Sequence, residues 1–431
     1  MAPMAVRDLE EARRLSDALV DAQKPIRILN SVKWTDEVEH DFVAAGAERQ
    51  PNVDAGWYQA NRPLKFEPAD KRTELANLRT DVVNALGSSP MGRLLTQRVD
   101  EYMQVVDLLE ARGSVRFGAL SAELYGDVDD ALHVGGPTLA ALGDVLDESL
   151  ANISDSRWEP PEDHEHDAAA AVEILSQRLA PVCGLDEIVV KLDDGIVADA
   201  AAGSTYIKLR DDATFSERAL RVLEVHEGWV HVATGLNGRA QPVATFLAKG
   251  TPSTTISQEG LAVFTEITTL SSSPNRLRKI SRRMQAIAMA DDGATFLDVY
   301  RWFGDHGLDH DDAWASSVRV FRGSLPTLGP FTKDLVYSRG FLEVYNLIRL
   351  AVGNGDIDLL PLLFVGKISV HELGLIKALH DDGVIVDPPT LPPSMADVTA
   401  LASWMAMSNL LNRVDVTAME VELGAAFVDY D

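Results

Sequence analysis

A mostly α-helical protein with one small antiparallel sheet, an α+β fold, is what this sequence predicts. Apolar residues recur at helical spacing through most of the chain. Only residues 187–210 combine β-branched residues with closely spaced turn signals. From about residue 275 to the end the pattern is almost wholly helical, interrupted by Asp387-Pro388-Pro389 and Pro392-Pro393.

Taken in order, Leu9, Ala12, Leu15, Leu19 and Ala22 share one face of an opening surface helix over 5–23. Residues 34–72, rich in Trp, Pro and Asn, read as irregular chain wrapping over another part of the fold. Helical periodicity returns over 73–112, broken by Gly87-Ser88-Ser89-Pro90. The acidic, proline-bearing stretch 152–167 is the best boundary, and its His164 and His166 read as part of a solvated linker. The chain thus divides into a helical N-terminal region, 1–160, and a second domain, 161–431. After a helix over 168–182, EIVVKL (187–192), IVADAA (196–201) and TYIKLR (205–210) predict an antiparallel meander with turns at Asp193-Asp194-Gly195 and Ala202-Gly203-Ser204. Thr214 and Glu217 form a capping box for the next helix, which Gly235 and Asn237-Gly238 end. Another helix carries QEGLAVFTEI (258–267).

At 431 residues the chain exceeds the roughly 250–300 residues of one hydrophobic core, which favours two domains or one core with an extension. A formal charge of −27, from 39 basic and 66 acidic residues, argues against nucleic acid and against anionic membrane surfaces, whose phosphates would repel most of the protein. Cys183 is the only cysteine, which rules out an intrachain disulfide and fits a reducing compartment. The N-terminus has no signal-peptide apolar core, and no apolar run reaches the about 18 residues of a membrane span. A cytoplasmic location is the expectation.

The chemistry concentrates in HEGWVH (226–231) and QEGLA (258–262). His226 and His231 offer two neutral nitrogen ligands, Glu259 a carboxylate ligand and Glu227 a general base, which together are the parts of a catalytic zinc site. The spacing makes a demand. Histidines four apart lie about 40° apart around an α-helix, whereas five apart they lie about 140° apart, too far round for one ion. A one-residue π-type bulge would reunite them, and Gly228 would ease it. Two partly buried histidines bonded to carbonyls or waters remain the alternative on spacing alone. Glu227 falls on the helix's apolar face, where an unpaired carboxylate is expensive. Glu259 sits at the N-terminal end of its helix, where the dipole favours an ionised oxygen. Gly260 beside it would admit another backbone.

At these residues the chain resembles the QEGLA-motif family, known in bacteria as flavohaemoglobin-expression-modulating proteins. The microtubule-associated tyrosine carboxypeptidases, which remove the C-terminal tyrosine of α-tubulin, are its eukaryotic relatives. The resemblance runs from about 187 to 380 and takes in AKGTPSTTISQEGLA (248–262), FRG (321–323), GPFTKDLVY (329–337) and FLEVYN (341–346), and is much weaker before residue 160. It implies a zincin-like catalytic domain over 161–431, a Zn2+ cofactor held by His226, His231 and Glu259, and Glu227 as base. The activity it implies is release of a C-terminal residue, aromatic by analogy, from a peptide or protein. Two rivals are a regulatory protein that keeps the metal site as scaffold and a zinc hydrolase of a small amide.

A carboxypeptidase must grip a free carboxylate, and Arg322, Lys333, Tyr337 and Tyr345 are the candidates for substrate binding. On a single helix over 331–349, Lys333 and Tyr337 would face together. A tyrosine would also serve as oxyanion donor. The basic run PNRLRKISRR (274–283) reads as a solvated helix face. His306 and His310 read as exposed, and His371 and His380 as structural or superficial.

Overall fold

A computed structural model describes residues 6–415 and 419, apart from 152, 154–162, 185–187, 194–198 and 204. Helices dominate it. The breaks at Gly87–Pro90 fall as expected, between helices Pro68–Leu86 and Pro90–Glu110, and the helix before the sheet runs Ala168–Cys183. The segment 34–72 is less irregular than its composition suggests, since helices Asp36–Ala44 and Ala55–Asn61 lie within it. It does wrap over another part of the fold. Trp34 and Phe42 pack on Phe296 and Trp314, with the Phe42 and Trp314 rings 4.9 Å apart, and each such pair contributes about 0.5–1.5 kcal/mol beyond its buried area.

Among the described residues there are five short strands: β1 (His166–Asp167), β2 (Val189–Asp193), β3 (Ala200–Ala202), β4 (Tyr206–Arg210) and β5 (Thr214–Phe215). The expected antiparallel meander is not what forms. The three-stranded sheet has the order β2-β4-β3, with β2 parallel to β4 and only β3 antiparallel to it. β4 takes the centre because its alternation buries Ile207 and Leu209 on one face, while Val189 and Leu192 of β2 stay exposed. The Asp194-Gly195 part of the first turn and Ser204 of the second lie outside the described residues. So does most of the predicted boundary at 152–167. Its end is structured, since β1 pairs with β5 and His164 Nδ1 lies 2.9 Å from the Thr214 carbonyl.

The motif-bearing helix follows the sheet. An α-helix Glu217–Leu223, a π-helix Glu224–Val232 and an α-helix Ala233–Ala240 run on with helical backbone at both junctions. Its cap is Ser216, whose hydroxyl accepts from the Ala219 N–H at 3.0 Å. Thr214 does not supply the capping box, because it belongs to β5. Nor do Gly235 and Asn237-Gly238 end the helix. Asn237 donates to the Phe364 and Thr390 carbonyls at 2.7 Å each, and Gly238 admits the Leu247 backbone, where a Cβ would meet its carbonyl carbon at 2.4 Å. These residues are there for close packing, so HEGWVH lies mid-helix.

This helix lies between two apolar clusters. Val225, Trp229 and Val232 join Leu175, Leu179, Ile207 and Leu209 beneath the sheet. Val230 joins a larger core that takes in Leu15, Leu94 and Val99 from the first part of the chain and Leu261, Phe264 and Ile348 from the later part. With both flanks buried, the rotation of the helix about its axis is set, and with it the direction of His226 and His231. No helix among the described residues is long and apolar enough to cross a membrane.

Candidate metal centre

The π-helix meets the demand of the five-residue spacing. Its turns close on i→i+5, so residues five apart share a face. The rings of His226 and His231 lie 4.8 Å apart, edge to face. Gly228 serves packing as well as conformation: a Cβ there would meet Leu179 Cδ2 at 2.2 Å.

Glu259 comes from the neighbouring helix, Pro252–Thr268. It lies well inside this helix and not at its N-terminal end, so the dipole is not what keeps it ionised. Burial alone would raise the Glu259 carboxyl, but bonds from His226 and His231 and the charge of Lys333 outweigh it and hold the group well below the usual range. Its Oε2 lies 3.2 Å from His226 Nε2 and 3.6 Å from His231 Nε2. One ligand atom from each of the three residues falls within 4.8 Å of the others. Four-coordinate zinc with bonds of about 2.0–2.1 Å sets its ligand atoms about 3.3 Å apart, so the donor set fits such an ion in both spacing and chemistry. Gly260 lets the Gly340 backbone close in behind, as its position suggested.

Glu227 is half-buried, not sunk in the apolar face, and among the described residues no side-chain hydrogen bond or ion pair engages its carboxylate. Exposure removes much of the expected burial cost and leaves the group open to a reactant.

Glu266, which no motif pointed to, is fully buried, and its Oε1 lies 2.6 Å from His226 Nδ1. Burial would raise this carboxyl, but Arg276 and the His226 bond outweigh it and hold it down to about 2. For His226, burial is likewise outweighed by Glu259 and Glu266, which lift the imidazole well above its ordinary value.

A basic cluster adjoins the three. The basic helix, Pro274–Asp291, is not simply solvated, because Arg276 and Arg283 turn inward. Arg283 lies 5.0 Å and Arg276 5.9 Å from the centre of the Tyr337 ring, which itself lies 6.5 Å from the His226 ring. Asp334 accepts two bonds from Arg319, at 2.6 and 2.9 Å, with Arg283 Nε at 3.7 Å. Arg322 completes the group. Burial, and then the charge of Arg319, push it down to about 10. Arg322 Nε and Arg283 Nη1 are buried with no hydrogen-bond partner among the described residues, so this cluster holds donors in search of an acceptor.

Of the predicted substrate residues, Arg322, Lys333 and Tyr337 therefore gather near the metal-type group. Lys333 and Tyr337 do not share one α-helix, because Thr332–Leu335 is 3-10 and the α-helix begins at Val336. Tyr345 points elsewhere: its hydroxyl bonds Ser408 and its ring carries Arg349. The other histidines stay apart from the site. His306 bonds the Trp302 carbonyl, and His310, only part-exposed, bonds Tyr300 and forms a loose group with Glu39 and exposed Asp311. His371 faces Glu343 and His380 faces Asp387.

Glu266 was legible in principle, being seven residues after Glu259 and so on the same helix face. Arg319 was likewise one turn before Arg322.

The sequence profile of one known family, described as microtubule-associated tyrosine carboxypeptidase, matches residues 40–413. The similarity therefore reaches far into the N-terminal region, well before the 187–380 core of motifs. No curated protein matches the chain.

Proposed function

Because the chain belongs to the microtubule-associated tyrosine carboxypeptidase family, we propose that it is a zinc-dependent carboxypeptidase acting on the C-terminus of a peptide or protein. A tyrosine-like terminal residue is the first expectation. The observation that carries the reading is the convergence of His226, His231 and Glu259, with the free carboxylate of Glu227 beside His226. His226 and His231 would hold the ion through Nε2 and Glu259 through Oε2. Bound there, zinc supplies Lewis acidity towards the scissile carbonyl and the attacking water.

The remaining work falls to side chains. Glu227 takes a proton from the attacking water and returns it to the departing amine. The buried Arg322 Nε–H and Arg283 Nη1–H, without a partner among the described residues, suit the oxygens of a substrate carboxylate. Tyr337, whose ring lies near both Arg283 and His226, would contact the terminal residue and donate towards developing oxyanion charge.

Zinc content and hydrolysis of C-terminal peptide libraries test the reading in wild type and Glu227→Gln. The expected result is equal zinc in both, with hydrolysis reduced about 10²–10⁴-fold in the variant. Zinc bound by a wild type that cleaves nothing would favour a regulatory metalloprotein. Cleavage of small amides alone would favour the other rival.

A further inference from the structure

Glu266 lies outside every motif of the site, yet its surroundings are specific. On one side its Oε1 meets His226 Nδ1 at 2.6 Å. On the other, Arg276 reaches both oxygens, Nη2 to Oε1 at 3.1 Å and Nε to Oε2 at 3.2 Å, and the Ser272 hydroxyl donates to Oε2 at 3.4 Å. The chain after the Pro252–Thr268 helix is folded to allow this. Ser271 and Ser272 turn their N–H groups onto the Glu266 carbonyl, Leu270 adopts φ 55°, and Ser273 caps the basic helix at the Arg276 N–H. The chain thereby brings Arg276 back to the carboxylate ten residues after Glu266.

An imidazole can turn about its ring bond and can carry its proton on either nitrogen. A buried carboxylate bonded to Nδ1 removes both freedoms, because only an N–H can donate to it. The carboxylate itself must stay ionised in an apolar setting, and a two-point arginine partner secures that. We infer that Glu266, backed by Arg276, is a positioning residue: it holds His226 with Nδ1 as donor and Nε2 directed at Glu259, and so sets the affinity of the site for a divalent metal ion. The inference rests on the metal-centre reading above. It also gives Arg276 of the basic run an internal task and joins the metal-type group to Tyr337, since Arg276 lies against that ring.

The test is Zn2+ affinity by chelator competition, together with the visible absorption of bound Co2+, which reports on the ligand field of the histidines. Glu266→Gln is compared with wild type and with Glu266→Gln/Arg276→Met, which avoids leaving a buried arginine unpaired. Both variants are expected to unfold cooperatively, to bind Zn2+ roughly 10–100-fold more weakly and to shift the Co2+ bands. Zn2+ affinity within twofold of wild type in either folded variant, with an unchanged Co2+ spectrum, overturns the positioning role and leaves the metal centre standing. A wild type that takes up neither ion overturns the metal centre itself, and this inference with it.

Discussion

Gly260 and Gly340 bring two helices into direct backbone contact beside the metal-type group. A Cβ on Gly260 would stand 2.0 Å from the Gly340 carbonyl carbon, and one on Gly340 2.0 Å from the Ile256 carbonyl oxygen. No side chain can yield at either contact. Gly260→Ala is therefore expected to destabilise the fold by about 3 kcal/mol and to weaken zinc binding by displacing Glu259. Urea unfolding and zinc titration of the variant check this. Wild-type stability would show that the helices can separate freely.

Arg322→Ala tests carboxylate recognition. Loss of one charge-assisted contact of about 1.5–3 kcal/mol is expected to lower kcat/KM for free-acid peptides roughly 10–100-fold. Peptides with an amidated C-terminus should be poor substrates for wild type and little affected by the change. Equal losses on acid and amide substrates would place Arg322 outside the substrate pocket.

His371 lies with Nε2 3.4 Å from Glu343 Oε2. The Glu343 bond raises the imidazole above its ordinary 6.5, with burial opposing. Burial would raise Glu343, but its bonds to His371 and Arg339 bring it below the usual carboxylate range. The histidine's contribution is therefore complete below its unfolded pKa and is lost as pH rises through the raised folded value. The glutamate's is present above its unfolded pKa and is lost as pH falls through the lowered one. An NMR titration of the His371 ring should give a midpoint above 6.5 that falls back in Glu343→Gln. An unmoved midpoint would dissolve the pair.

Leu270 holds φ 55° while 90% exposed, so it bears left-handed strain without burying its side chain. Leu270→Gly is expected to stabilise the protein by about 0.5–1 kcal/mol, relief of strain exceeding the added freedom of the unfolded chain. Equilibrium unfolding in urea measures it, and a loss of stability would mean that Leu270 makes contacts the fold needs.

Helices and donor set were legible because both are local. Apolar spacing exposed Leu15 and Leu19 of the first helix and the helical run over 73–112, and HEGWVH with QEGLA exposed the three ligand candidates. What escaped was long-range. The pairing of β2 beside β4 depends on which strand the core buries, and the sequence of β2 does not contain that information. QEGLA by itself suggests a helix start at Glu259, whereas the helix begins about two turns earlier, at Pro252. Arg276 and Arg283 looked solvated because Glu266, Asp334 and Tyr337, which draw them inward, come from other helices.

A π-helical stretch is the mark that one inserted residue leaves in an α-helix anchored on both sides. Excising a residue between the two histidines would turn their separation from five to four and let the stretch relax to ordinary helix, with the rings still converging. A helix of this kind therefore differs from one with histidines four apart by a single residue of length, and a search for the shorter spacing passes over it.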